Sequence, residues 1–150
     1  MNIYVASSWR NNIQPDVVAA LREAGFEVYD FKNPAPGDHG FSWRQIDPDW
    51  ENWTSEKFAD IVMNSPTAQD GFDKDMDALE SCDICVLVMP CGRSAHIELG
   101  WAAGNGKATL ILLSDGEPEL MYRMVDGLVH SIKEVVSWCE LHREENGNEP

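Results

Sequence analysis

Two short stretches of this 150-residue sequence gather side chains that hold anions and attack carbon. The first is Ser7-Ser8-Trp9-Arg10; the second is Pro90-Cys91-Gly92-Arg93-Ser94-Ala95-His96-Ile97-Glu98. Each offers hydroxyls and one guanidinium beside a helix start, where free backbone N–H groups suit a phosphate or another small anion. The same serines, Ser7 and Ser94, could instead cap those helices, and Arg10 and Arg93 could pair with surface acids. Glu98 falls within the first turn or so of its helix, where the positive helix end favours the ionised carboxylate that an attacking group needs. Asp75, on the preceding helix, could face the same crevice and donate or relay a proton. Two carboxylates around one anomeric carbon are the recurring equipment of glycosidic cleavage. Each also has a plainer reading: a first-turn acid complements the dipole, and Asp73-Lys74-Asp75-Met76-Asp77 suits a solvated face. His96 reads as a first-turn polar residue or loop anchor before it reads as a base.

The elements that must position these groups alternate. Ile3–Ala6 is β-prone, and Val17, Ala20, Leu21 and Ala24 then make the stripe of a helix with Pro15 in its first turn and Gly25 as a left-handed stop. Phe26–Phe31 reads as a second strand, which completes a βαβ unit. Prolines and glycines between Lys32 and Pro66 exclude long regular structure, apart from a short helix over Thr54–Asn64. Trp43, Trp50 and Trp53 argue that this insertion is ordered, either as a cover for the core or as a base-stacking element.

A helix is expected over Thr67–Ser81, a central buried strand over Ile84–Met89, and a helix over Ser94–Ala103 with Ser94 as its cap and Gly104 as its stop. Thr109–Leu113 reads as a strand, Pro118–Val125 as a helix and Leu128–His130 as an edge strand. Ser131-Ile132-Lys133-Glu134 is a capping box, and Arg143–Pro150 a frayed tail. The sum is an α/β doubly wound domain: a five-stranded parallel sheet in flavodoxin-like order 2-1-3-4-5 with helices on both faces. Such a sheet binds its ligand outside the carboxyl ends of the strands, where the order reverses between strands one and three. The two chemical stretches leave those two strands.

Composition narrows the partners. A formal charge of −15 argues against a polymeric nucleic acid or an anionic membrane, and 43% apolar content with 6 Trp argues against disorder. The apolar runs are too short to span a bilayer and the first residues lack signal-peptide character, so a cytoplasmic protein is expected. Cys82 and Cys85 have C-x-x-C spacing, but side chains three apart on a strand point to opposite faces, which disfavours chelation. Reduced thiols, no metal and no cofactor are expected. Walker, dinucleotide-glycine and G-x-S-x-G patterns are not found.

Ser94-Ala95-His96-Ile97-Glu98-Leu99-Gly100-Trp101-Ala102, preceded by Asp83-Ile84-Cys85-Val86-Leu87-Val88, resembles the nucleoside 2-deoxyribosyltransferase family. The resemblance implies that Glu98 is the nucleophile and that Asp75, eight residues before the strand-opening Asp83, is the second carboxylate. Ile3–Arg10 is also similar to the family's first strand and loop, and the likeness runs to about Leu113, weakening across Lys32–Pro66. One branch of the family exchanges bases between deoxynucleosides; another hydrolyses deoxynucleoside 5′-monophosphates and holds the phosphate with Ser-x-Arg, which Ser8-Trp9-Arg10 matches. That branch's second phosphate serine lies farther from the nucleophile than Ser94, so Ser94 or Arg93 would substitute. Gly92 stands where the transferases carry an Asp, and the partner-subunit Asn that transferases use has only Asn146 and Asn148 as counterparts. The resemblance also implies a homodimer or higher homo-oligomer.

The leading expectation is therefore N-glycosidic cleavage of a deoxynucleoside 5′-monophosphate through a glycosyl-Glu98 intermediate. Ser7, Ser8, Trp9, Arg10, Gly92, Arg93, Ser94 and His96 are the expected substrate contacts, Trp9 or a loop Trp stacking on the base. Three alternatives stand beside it. They are base exchange, an NAD-cleaving Toll/interleukin-receptor-like domain (suggested by Tyr4–Arg10 and Gly25–Asp30) and a non-catalytic nucleotide-binding module.

Overall fold

The computed structural model describes residues 1–147. Five parallel strands form one sheet: β1 (Asn2–Ala6), β2 (Glu27–Tyr29), β3 (Ile84–Val88), β4 (Ala108–Leu112) and β5 (Gly127–Val129). Their order is β2-β1-β3-β4-β5, as the alternation of elements predicts. β1 and β3 are direct neighbours, Ile3 opposite Ile84 and Ala6 opposite Leu87, so their carboxyl ends emerge side by side. The helices are α1 (Gln14–Glu23), α2 (Ser55–Asn64), α3 (Pro66–Ser81), α4 (Arg93–Gly104) and α5 (Ile132–Gly147).

The chain divides into two compact units, Phe31–Ala78 and the sheet unit formed by the rest. In the sheet unit, strand alternation sends Ile3, Val5, Ile84, Val86, Val88, Leu110 and Leu112 to one face, where they meet Val17, Val18 and Leu21 of α1 and Val135 and Cys139 of α5. The opposite face carries the buried Tyr4, Cys85, Leu87 and Ile111, and α4 packs on β1, β3 and β4. All of β3 is buried, which explains its uninterrupted apolar run. Among the described residues no helix is long and apolar enough to cross a membrane.

The Phe31–Ala78 unit is built differently. Trp43 meets Phe41, Trp53 and Phe58 edge-on, with ring centroids 4.7, 5.7 and 5.8 Å away. Asp47 accepts hydrogen bonds from Lys57 Nζ and the Trp53 indole, both at 2.7 Å, and these hold its carboxyl well below the usual carboxylate range. Gly71 sits within α3 because a Cβ there would lie 2.9 Å from the Phe41 ring. Two of the three insertion tryptophans thus belong to one aromatic cluster, and the helix expected over Thr54–Asn64 is α2, with Thr54 accepting from the Lys57 N–H at 3.2 Å.

Four local expectations need correction. The residue that turns the chain into α4 is Gly92, in an extended conformation, and Ser94 lies inside the helix as its second residue. Gly104 does not stop α4; the helix includes it, and the left-handed conformation falls at Gly106 with φ 72°. Pro118–Val125 forms only a 3-10 segment over Leu120–Met124, because Leu120, Met121 and Met124 remain exposed and a full helix would have no buried face to stabilise it. The expected fraying from Arg143 does not occur through Gly147. Arg143 donates to the Ala24 carbonyl at 3.3 Å and lies 4.3 Å over the Phe26 ring, tying that turn to the end of α1. Residues 148–150, Asn148 among them, lie outside the described residues. The capping box holds: Glu134 Oε2 accepts from the Ser131 N–H at 3.1 Å, and Ser131 Oγ accepts from the Glu134 N–H at 3.2 Å.

Candidate functional site

At the carboxyl edge of β1, Ser7 Oγ donates to the Val88 carbonyl at 2.8 Å, a tie to the neighbouring strand in place of the helix cap that its position suggests. A hydroxyl has one proton, and that of Ser7 is committed to Val88. Ser8 Oγ accepts from the Arg10 N–H at 3.1 Å, which leaves its own O–H for an anion. Trp9 is half exposed and Arg10 exposed.

The residue that fixes this loop is Asn11, which sequence reasoning missed. Its side chain is buried: Oδ1 accepts from the N–H groups of Ile13 at 2.7 Å and Gln14 at 2.8 Å, opening α1. Its amide donates to the carbonyls of Val88 at 3.3 Å and Pro90 at 3.0 Å. One asparagine therefore starts a helix and staples the β1 loop to the β3 loop. An Asn just ahead of a proline-led helical stripe was a usable signal for the first role only.

Beyond β3, Arg93 and Ser94 are exposed on the first turn of α4. Among the described residues neither Arg93 nor Arg10 forms an ion pair, so the surface-acid pairing open to them in the sequence is not what occupies them. Ala95, Leu99 and Ala102 face the sheet. Glu98 is the sixth residue of α4, in its second turn rather than its first, where the helix dipole is weaker. Its carboxylate is half-buried and close to β3. Burial raises the Cys85 thiol well above its usual value, and the charge of Glu98 adds to the effect. Burial likewise pushes Cys91 up to about 11, again with Glu98 contributing. Both thiols are therefore neutral near pH 7 and are not nucleophiles.

His96 is held at both ring nitrogens. Nδ1 lies 3.0 Å from the Gly92 carbonyl, an acceptor, so Nδ1 carries the proton and Nε2 accepts from the Tyr122 hydroxyl at 2.8 Å. The two rings lie nearly parallel, 5.8 Å between centroids and 15° between planes. Tyr122 comes from the 3-10 segment between β4 and β5, and no pattern in the sequence marks it.

Asp75 is half-buried on α3 within the Phe31–Ala78 unit. In that unit Lys74 bridges Asp70 at 3.0 Å and Asp38 at 3.1 Å, and Gln69 donates to Asp73 at 2.6 Å. Among the described residues no group of three His, Cys, Asp or Glu side chains could hold a metal ion, and the four cysteines are free.

No protein-family model matches the sequence. No curated protein matches it either. Solved structures do. The 2-deoxyribosyltransferase of the psychrotolerant bacterium Bacillus psychrosaccharolyticus superposes with a TM-score of 0.58 at 20% identity, covering 91% of this chain and 90% of that one. The CMP N-glycosidase BcmB of Clostridium botulinum superposes with a TM-score of 0.53 at 19% identity, covering 93% of this chain and 99% of that one. The chain shares the fold of both enzymes.

Proposed function

We propose that the chain is an N-glycosidase of 2′-deoxynucleoside 5′-monophosphates. Glu98 attacks the anomeric carbon; the C–N bond to the base breaks as the Glu98 Oε–C bond forms, and the base leaves with a proton from a bound water. Water then adds to the anomeric carbon, releasing the sugar phosphate and restoring the carboxylate. Ser8, Arg10, Arg93 and Ser94 hold the phosphate, and Trp9 stacks on the base. The observation that carries this reading is the juxtaposition of the β1 and β3 loops where the strand order reverses. Ser8 and Arg10 follow β1, while Arg93 and the half-buried Glu98 belong to α4, which follows β3. Among the described residues neither arginine forms an ion pair, which supports the reading. The fold shared with a deoxyribosyltransferase and an N-glycosidase supports it. The resemblance to the deoxyribosyltransferase family also supports a homo-oligomer and a nucleoside or nucleotide as the small-molecule partner.

Base exchange is the second reading, favoured by the 2-deoxyribosyltransferase among the similar structures. Gly92, standing where the transferase branch carries an Asp, favours hydrolysis. One incubation separates them. A deoxynucleoside monophosphate given with a second free base should yield free base and sugar phosphate; a new nucleotide carrying the second base would establish transfer instead.

A further inference from the structure

We propose that Tyr122 is a positioning residue for Glu98, acting through His96; this rests on the role given to Glu98 above. α4 begins without a side-chain cap, since Gly92 at its start has none to offer. In its place the His96 imidazole reaches back to the Gly92 carbonyl at 3.0 Å and sideways to the Tyr122 hydroxyl at 2.8 Å. The Tyr122 hydroxyl lies 3.7 Å from Met89 Sδ, and Cys91 Sγ lies 3.5 Å from that sulfur and 3.6 Å from His96 Nδ1. The turn from β3 into α4 is thereby clamped from the β4–β5 connection. Tyr122 is the residue of its 3-10 segment that turns inward, while Leu120, Met121 and Met124 are exposed.

Glu98 follows His96 by two residues, so it projects from a different side of the same helix, about 3 Å along the axis. A tie on one side of a helix fixes its rotation, and rotation decides where a carboxylate on another side points. With side chains extending roughly 5–6 Å from the axis, a turn of about 10° moves a carboxylate by roughly 1 Å. A displacement of that size at a reacting atom is worth up to about 100-fold in rate. Neither His96 nor Tyr122 needs to touch the substrate for this.

The test compares wild type with Tyr122→Phe, His96→Phe and the double variant, using deoxynucleoside monophosphates and measuring free base, with melting temperatures in parallel. The expected result is a kcat lower by about 10- to 100-fold in each single variant, KM within about 2-fold, and a double variant no worse than the poorer single one. Tyr122→Phe keeps the ring and should melt close to wild type. An active wild type whose kcat survives Tyr122→Phe overturns the inference alone. So does a rise in KM at constant kcat, which would make Tyr122 a substrate contact, and so do additive losses in the double variant. A wild type that releases no base overturns the proposed activity, and this inference with it.

Discussion

At the amino edge of the sheet, Asp83 accepts the Asn2 N–H at 2.7 Å and Lys107 donates to the carbonyls of Glu80 and Cys82 at 2.6 and 2.8 Å. Asp126 accepts both the N–H and the hydroxyl of Thr109, at 2.8 and 2.9 Å. At the carboxyl edge Ser7, Asn11 and His96 are engaged with backbone in this way, while the Ser8 hydroxyl proton, Arg10, Arg93 and Ser94 present donors toward solvent. The amino edge also borders a cavity of about 740 Å³, lined by Asp83, Lys107, Asp126 and Trp138 among others. The partners of its charged groups argue against a ligand there, because a side chain that completes a backbone hydrogen bond has little left for one. The contrast teaches that the two edges should fail differently when mutated: one in stability, the other in activity.

The largest break in that contrast is expected from Glu98→Ala. Loss of the nucleophile of a two-step covalent route should lower kcat by about three decades or more, about 4 kcal/mol of barrier. The melting temperature should stay within about 2 °C, and both are read by a base-release assay and a thermal melt. Arg10→Ala comes next. It should raise KM for the monophosphate by about 10- to 100-fold, the range of a charge-assisted hydrogen bond, and leave the unphosphorylated nucleoside unaffected. The amino edge should answer in the opposite sense. Asp126→Ala leaves the Thr109 N–H and hydroxyl without their acceptor and should cost about 1–3 kcal/mol in a urea titration, with kcat within about 2-fold of wild type.

The smallest effect is one of pH. Burial raises Cys91 to about 11 and Cys139 to about 12, well above the ordinary range of a thiol. The unfolded thiols therefore release protons at lower pH than the folded ones, so these groups do not weaken the fold below about pH 9 and progressively weaken it as pH rises through 11 and 12. Cys139→Ala should flatten the alkaline slope of a stability profile measured across that window.

Much of the scaffold was legible because its signals are local. The Val17–Ala24 stripe with Gly25, the uninterrupted Ile84–Val88 run and the Ser131–Glu134 capping box each lie within one element. What could not be read depends on residues far apart. Asn11 reaches Val88 across 77 positions and Tyr122 reaches His96 across 26, and neither partner can be found by periodicity. Gly104 misled because a glycine permits a helix stop without requiring one, and Gly106 supplied it. Among the candidate site residues, those on the β1 and β3 loops follow from topology, since the order reversal selects them. The hydrogen bonds that divide Ser7 from Ser8 do not. In Phe31–Ala78 the tryptophans announced order, but not the edge-on packing around Trp43.

The central claim is a covalent bond between Glu98 and the sugar, and acid-quenched enzyme tests it most directly. Wild type mixed with a deoxynucleoside monophosphate, stopped within the first turnovers and digested, should yield a Glu98-containing peptide heavier by one deoxyribose 5-phosphate unit. The same peptide from Glu98→Gln should be unmodified. Rapid base release with an unmodified wild-type Glu98, matched by a Glu98→Ala variant of near-normal turnover, would contradict it.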